Sequence, residues 1–314
     1  MKHKEIGGYF ELEVYGTESF HKGAIMLNSA RNALRYVIRA YGIKVINAPY
    51  YTCPVIWDAV RSENCEIVYY DIDDDFMPCC NFRDNEYILV NNYFGVCDLN
   101  INILSGKYKN LIVDNAQSYF SAPKGLASFY SPRKFFGLPD GGLLFCEKHI
   151  DDNFVTDASF TRMSHLLKRH DAGAESGYND FKINDASLNG EPIKAMSKLT
   201  QALMRNISYE ETRKKRCANY CYIHEQLDDL NELAISCIND VPMVYPLLSH
   251  IKGLRERLIE NGIYVARYWD NDQHIVPQNS RAAYLRDNLL PLPIDQRYTL
   301  DDMQRITDMI IRGS

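Results

Sequence analysis

The sequence reads VDNAQ at residues 113–117 and SFYSPRKFFGLPDGG at residues 128–142, and its densest group of unusual residues lies in these two stretches. In the first, the carboxylate of Asp114 ends an apolar run, and in the second Lys134 lies between another such run and a pair of glycines. A carboxylate at the end of a buried strand needs a cation or a hydrogen-bond donor to be tolerated there. The pattern therefore indicates a polar site built where strands end.

Helix-like and strand-like segments alternate through the first half of the chain around these stretches. Alternation of this kind predicts an α/β fold with a mainly parallel central sheet covered by helices. Such sheets bind ligands at the carboxyl ends of their strands, so we expect the site where the strands end. The predicted helices are residues 29–41 and 55–62, and the predicted strands are residues 44–48, 66–72, 87–90, 110–113, 126–130 and 142–146.

The second half of the chain has a different pattern. Residues 155–190 are polar, contain glycine and lack periodicity, which predicts a long loop that is functional or mobile. We expect a large domain over residues 1–205 and a smaller C-terminal α/β domain over residues 206–314. The remaining predicted elements are a largely helical segment at 192–230, a strand at 241–248, a helix at 250–261, a β-rich run at 262–269 and an amphipathic helix from Thr299 to Ile311.

Composition and charge argue against several classes of protein. Of the 314 residues 46% are hydrophobic, which is enough for a sizeable core. The net charge is −6 and the basic residues are scattered, except for the cluster Arg213–Arg216, which we interpret as a solvated helix face, so we expect no nucleic-acid partner. The nine cysteines include no CxxC pair and no zinc-binding spacing, which predicts free thiols and no metal. We expect a soluble cytoplasmic protein, since no apolar run is long enough to cross a membrane.

Lys134 and Asp114 are the candidate catalytic residues. An aspartate beside a pyridinium nitrogen keeps that nitrogen protonated and so maintains the ring as an electron sink, and Gln117 could donate to a ring oxygen. Phe135 and Phe136 suggest surroundings apolar enough to lower the pKa of Lys134 toward nucleophilic use. Each residue also has a structural interpretation, because strand-end aspartates often form turns and lysines often lie along surface aromatics.

These residues resemble the core of the DegT/StrS family of sugar aminotransferases, which are fold-type I enzymes that use pyridoxal 5′-phosphate (PLP). The resemblance implies a large domain with a mainly parallel sheet, a smaller C-terminal α/β domain, PLP held by Lys134 as a Schiff base, and Asp114 at the ring nitrogen. The family pattern is matched by Asp114, Ala116, Gln117, Ser128 or Ser131, Lys134 and Asp140-Gly141-Gly142.

Two further segments resemble the family's phosphate site. LNSARNALRYVIRA is similar to its SGTxAL segment, which implies that Ser29, Ala30 and Arg31 offer backbone N–H groups to the PLP phosphate at a helix N-terminus, with the Arg31 cation as a further partner. Which of Ser128 and Ser131 binds the phosphate is left open by the spacing. The segment SGYN resembles the loop whose asparagine reaches the phosphate of the neighbouring subunit, so the resemblance implies a homodimer with Asn179 in that role.

The face of the ring is where the sequence departs from the family. The segment PYYT at residues 49–52 resembles the family's PxFT, after which an aromatic residue normally stacks on the pyridine ring. Here that place is taken by Cys53. Tyr51 or Tyr93 would therefore have to cover the ring.

The resemblance implies transfer of an amino group from an amino acid such as glutamate to a ketosugar, nucleotide-linked in this family, with surface polysaccharide assembly as one possible pathway. Cys53, Arg31 and the short chain also fit a catalytically degenerate relative that acts as a binding or regulatory subunit. Ser131 and Lys134 also match the SxxK pair of penicillin-recognising enzymes, but the chain has no KTG. The chain contains no GxSxG, HExxH, P-loop or GxGxxG motif either, so hydrolase, zincin, nucleotidase and dehydrogenase functions lack their signatures.

Overall fold

The structure is a computed structural model that describes residue 9 and residues 11–16, 18–150, 153–235, 241–270 and 274–312. One of the nine cysteines, Cys237, lies outside these residues, and none of the other eight forms a disulfide bond within them. In the described part of the chain no helix is both long and apolar enough to cross a membrane.

A seven-stranded sheet forms the centre of the first half of the chain. Its strands are β1 (Ile25–Leu27), β2 (Val45–Pro49), β3 (Glu66–Tyr70), β4 (Tyr87–Asn91), β5 (Leu111–Asp114), β6 (Ala127–Tyr130) and β7 (Gly142–Cys146). Across the sheet the strands follow the order β1-β7-β6-β5-β4-β2-β3. All pairs from β3 to β6 are parallel, while β7 is antiparallel to both β6 and β1. The predicted mainly parallel α/β fold is confirmed.

Helix α1 (Ala30–Tyr41) shows how local sequence positions an element over this sheet. The hydroxyl of Ser29 accepts a hydrogen bond from the Asn32 N–H at 3.2 Å, which caps the first turn. Gly42 ends the helix in the left-handed conformation, which glycine adopts without strain. The buried residues of the helix include Ala33, Leu34, Val37 and Ile38. The other helices of this half are α2 (Pro54–Ser62) and α3 (Asp98–Lys107).

The prediction of a long loop over residues 155–190 is wrong for most of this segment. The segment contains two helices, α4 (Ser164–Ala172) and α5 (Ala174–Ser187), which pack against each other. A Cβ at Gly177 would lie 2.7 Å from the carbonyl oxygen of His165, so glycine lets the two helices approach closely. Because these helices bury few apolar side chains, their sequence lacks the periodicity by which an amphipathic helix is recognised.

The C-terminal part contains a small antiparallel sheet and five helices within the described residues. Its elements are α6 (Lys198–Arg205), α7 (Tyr209–Leu227), β8 (Val244–Leu248), α8 (Leu254–Glu260), α9 (Arg281–Asn288), β9 (Leu289–Pro293) and α10 (Leu300–Ile311). Strands β8 and β9 pair with each other and not with the seven-stranded sheet. The domain boundary near residue 205 remains a prediction.

The prediction of a β-rich run at residues 262–269 is also wrong, because the structure describes these residues and assigns no strand to them. Ile263 and Val265 are buried in an apolar cluster, which explains the apolar pattern. The guanidinium group of Arg255 donates to the carbonyl oxygens of Val265 at 3.1 Å and Ala266 at 2.9 Å. A side chain therefore satisfies backbone groups that would otherwise pair with a neighbouring strand.

Candidate active site

A cavity lies at the carboxyl ends of β2, β4 and β5, where the alternation of elements predicted a site. Asp114, Gln117 and Lys134 all line it, so the structure brings the three predicted residues together. The complete lining consists of Thr52, Cys53, Asn91, Asn92, Asp114, Ala116, Gln117, Lys134 and Trp269. No group of three or more metal-ligating side chains occurs among the described residues.

Asp114 is the last residue of β5 and is 7% exposed. Its Oδ1 accepts a hydrogen bond from the Ala116 N–H at 2.8 Å. Burial raises the pKa of Asp114 to about 6, while the charge of Lys134 and the Ala116 N–H act in the opposite direction. Within the described residues no cation lies close enough to form an ion pair with this carboxylate. Asp114 is therefore a buried acid that would gain from a cationic ligand.

Gln117 presents a free donor in the same cavity. Its Oε1 accepts the Phe94 N–H at 3.1 Å, which orients the amide. Its buried Nε2 has no hydrogen-bond partner among the described residues. A buried donor without a partner costs about 1–3 kcal/mol, so a ligand oxygen here would be favourable.

Lys134 ends a short 3₁₀ turn at Pro132–Lys134, and its backbone N–H donates to the Ser131 carbonyl at 3.1 Å. Its side chain is exposed and makes no hydrogen bond or ion pair with the described residues. The apolar surroundings that we expected for Lys134 are not observed. Phe135 and Phe136 are buried in an aromatic cluster around Tyr119, so the side chain of Lys134 is left on the cavity side.

Arg216 holds the backbone next to Lys134, and the interpretation of residues 213–216 as a solvated helix face is wrong for this residue. Arg216 is 1% exposed, and its guanidinium lies 4.5 Å from the ring centroid of Phe135. Its Nη2 reaches the Phe135 carbonyl at 3.4 Å, and Gln296 donates to the same oxygen at 2.7 Å. Two residues of the C-terminal part therefore anchor the turn that carries Lys134.

The glycine pair Gly141-Gly142 lets the N-terminus of α1 lie close to the strand that follows the Lys134 turn. A Cβ at Gly142 would lie 2.3 Å from the carbonyl carbon and oxygen of Ser29, so only glycine permits this backbone contact. Gly141 has a φ of +113°, and its N–H donates to the Asn28 carbonyl at 3.0 Å. The predicted phosphate segment at Ser29, Ala30 and Arg31 is therefore held against the first residue of β7.

The two serines that the sequence left open differ in their contacts. The hydroxyl of Ser128 donates to the Lys124 carbonyl at 2.8 Å and accepts the Lys124 N–H at 2.9 Å, so it is committed to a loop. The hydroxyl of Ser131 makes no hydrogen bond with the described residues. Ser131 is therefore the serine that is available to a ligand beside Lys134.

The aromatic residue that lines the cavity is neither Tyr51 nor Tyr93, the two residues predicted to cover the face of the ring. Tyr51 and Tyr93 are buried, with ring centroids 5.7 Å apart, and neither lines the cavity. Trp269 lines it instead, and its ring centroid lies 4.9 Å from that of Tyr51. Cys53 also lines the cavity, where burial raises the pKa of its thiol and the charge of Lys134 lowers it.

Asn179 does not join the cavity. It is exposed on α5, so its role toward a partner subunit remains a prediction. Five lining residues were not among the candidate site residues: Thr52, Asn91, Asn92, Ala116 and Trp269. The polar pair at the end of β4 was a signal for Asn91 and Asn92. For Trp269 the signal was weak, since it is one of two tryptophans and ends the segment wrongly predicted as β-rich.

Fold and site together define an α/β protein whose candidate site lies at the carboxyl ends of a mainly parallel sheet. No family model matches the chain, and no curated protein matches its sequence. Solved structures of similar fold do exist. DesV from S. venezuelae, in complex with a ketimine intermediate, has a TM-score of 0.65 and 17% identity over 92% of this chain and 84% of that one.

Two other solved structures are similar to this chain in fold to about the same degree. A DegT DnrJ EryC1 StrS aminotransferase from Brucella abortus has a TM-score of 0.62 and 16% identity, covering 92% of this chain and 85% of that one. The Bacillus subtilis protein NtdA, with bound cofactor PMP, has a TM-score of 0.65 and 14% identity, covering 92% and 73%. At these identities the likeness concerns the fold, and it is the fold that the sequence resemblance implied.

Proposed function

We propose that this protein is a PLP-dependent aminotransferase that moves an amino group from an amino acid such as glutamate to a nucleotide-linked ketosugar in the cytoplasm. The observation that carries the proposal is the meeting of Asp114, Gln117 and Lys134 in one cavity at the carboxyl ends of parallel strands. Sugar aminotransferases of similar fold, some of them solved in PLP and PMP forms, support it.

The residues present fit the cofactor. Asp114 is a buried carboxylate with no cationic partner within ion-pair distance among the described residues, as the site of a pyridinium nitrogen requires. The unpaired Nε2 of Gln117 would donate to the ring oxygen. Ser131 and the first turn of α1, at Ala30 and Arg31, would hold the phosphate. Bound PLP would supply an electron sink for the carbon that carries the transferred nitrogen.

Each protein group then has a defined task. Asp114 keeps the ring nitrogen protonated, because a poorly solvated carboxylate gains most from an adjacent positive charge. Lys134 would bind the cofactor, and its amine would move a proton between the substrate carbon that bears the transferred nitrogen and C4′ of the cofactor. Trp269 and Cys53 border the cavity and limit the entry of water.

A homodimer belongs to the same proposal. Lys134 is exposed in the chain described here, so the site is open on one side. Asn179 is exposed as well, as a residue that acts on the site of a neighbouring subunit must be. A second copy of the chain would close the site and exclude water from it.

The decisive experiment uses colour and reduction. Purified protein mixed with PLP should turn yellow, and borohydride should then fix the cofactor on Lys134, as peptide mapping by mass spectrometry would reveal. Lys134→Ala should bind no reducible cofactor, whereas Lys124→Ala, on a nearby loop, should behave like the wild type. A colourless wild-type protein that takes up no PLP would contradict the proposal.

The substrates need a separate test. Glutamate should bleach the yellow form in a half-reaction, and a panel of nucleotide-linked ketosugars should restore the colour with formation of an aminosugar. The second candidate function is a catalytically degenerate subunit, which the presence of Cys53 in the cavity favours. Cofactor attachment to Lys134 without bleaching by any amino donor would support that alternative.

A further inference from the structure

Three charged side chains meet beside Lys134. Arg31 lies in the first turn of α1, Arg133 directly precedes Lys134, and Asp185 lies in the last turn of α5. The Oδ1 atom of Asp185 accepts a hydrogen bond from Arg133 and lies 3.9 Å from Nη2 of Arg31. One carboxylate is therefore shared by two guanidinium groups.

The two cations of this cluster are more buried than its carboxylate. The side chains of Arg31 and Arg133 are 12% and 18% exposed, so both cations are largely desolvated, while the side chain of Asp185 is 46% exposed. Burial lowers the pKa of Arg31, as does the charge of Arg133, while Asp185 raises it. Burial would raise the pKa of Asp185, but Arg133, Arg31 and Lys134 together hold it below its ordinary value. Asp185 is therefore ionised at neutral pH.

The charges of this cluster do not balance. Arg31 and Arg133 contribute two positive charges and Asp185 contributes one negative charge, before Lys134 is counted. The cluster can therefore accept another anion. A phosphate bound to the same guanidinium groups would lie next to the carboxylate of Asp185, and the two negative charges would repel each other.

We propose that Asp185 is a built-in competitor of phosphate at this site: it pairs with Arg31 and Arg133 in the cofactor-free protein, and a phosphate group that binds the two arginines displaces it. The inference rests on the proposed function, which places the PLP phosphate at the N-terminus of α1. It adds that the affinity for the cofactor is set by α5, which must give up its contact with Arg133 when the phosphate binds.

The test measures the binding of inorganic phosphate by calorimetry, without PLP. Asp185→Asn keeps the size of the side chain and removes its charge, and it should bind phosphate roughly tenfold more tightly than the wild type. The matched control is Asp180→Asn in the same helix, where Asp180 pairs with Lys168 at 2.7 Å instead of with the arginines. The control should bind like the wild type. Equal or weaker binding by Asp185→Asn would overturn the inference.

A second measurement needs no variant, in case Asp185→Asn does not fold. Hydrogen exchange of the amides in the last turn of α5 should become faster when phosphate is added to the wild type, because the contact that holds this turn is released. Unchanged or slower exchange, with phosphate bound, would contradict the displacement of Asp185.

The two proposals fail in different ways. Absence of cofactor on Lys134 after reduction contradicts the aminotransferase, whatever the phosphate measurements give. Cofactor on Lys134 together with unchanged phosphate affinity in Asp185→Asn contradicts only the competitor role of Asp185.

Discussion

Burial raises the pKa of Asp114 to about 6, compared with 3.8 for an ordinary aspartate. As the pH rises from about 4 to about 6, the unfolded chain releases this proton while the folded chain retains it. The contribution of Asp114 to stability therefore falls over this window. Asp114→Asn should remove this pH dependence and stabilise the cofactor-free protein at pH 7 by about 2–3 kcal/mol.

Urea unfolding of the cofactor-free protein at pH 4.5 and pH 7 would measure this effect. Asp58→Asn makes the same change of charge at a side chain that is 73% exposed, and it should change stability by less than about 0.5 kcal/mol. A less stable Asp114→Asn protein at pH 7 would contradict the prediction. A cost to folding at this residue is expected if the carboxylate is kept for a cationic ligand.

At the scale of elements, the junction between α1 and β7 depends on one glycine. In Gly142→Ala the new Cβ would lie 2.3 Å from backbone atoms of Ser29, so helix and strand would have to separate. We expect a loss of about 1–3 kcal/mol and weaker binding of PLP, measured by thermal unfolding and by cofactor absorbance. Gly106→Ala in α3 meets no atom within 4 Å and should be neutral or slightly stabilising. Equal behaviour of the two variants would contradict this role of Gly142.

Helix α7 acts on the site through Arg216. In Arg216→Met the carbonyl oxygens of Phe135 and Met243 lose a buried donor, and we expect a loss of about 3–5 kcal/mol in the free energy of unfolding. Lys214→Met, two residues away on an exposed position, should change it by less than about 0.5 kcal/mol. Denaturant unfolding would compare the two. A loss below about 1 kcal/mol for Arg216→Met would contradict a stabilising role for the hydrogen bonds that Arg216 donates to these carbonyl oxygens.

At the scale of the whole molecule, exposed apolar side chains are frequent around α4 and α5. The group consists of Val155, Phe160, Leu167, Tyr178, Phe181 and Ile183. A second copy of the chain is the partner that the proposed function requires, and an interface between two copies would bury exposed apolar side chains of this kind. Phe181→Asp should therefore weaken self-association at least tenfold in sedimentation experiments.

The control for the dimer is Leu99→Asp, which introduces the same charge at a side chain of α3 that is 71% exposed. It should leave the association constant unchanged. A wild-type protein that stays monomeric at micromolar concentration would contradict both the dimer and the role of Phe181.

Local patterns were sufficient to predict the main sheet and three of the residues that line the cavity. The strands from β2 to β7 and helix α1 are recognisable because their apolar residues and turn residues follow one another along the chain. Asp114 and Lys134 could be predicted for the same reason, since Asp114 ends a strand and Lys134 ends a short turn. Their meeting follows from a general property of parallel sheets, whose carboxyl ends lie at one edge.

Other features depend on contacts between residues that are far apart in the sequence. Arg216 looked like part of a solvated cluster, and only packing against Phe135 shows that it is buried. Trp269 reaches the cavity and Asp185 reaches Arg133 across many elements, so no local pattern marks either residue. Propensity and periodicity report what a residue's neighbours in sequence are, whereas burial and pairing are decided by neighbours in space.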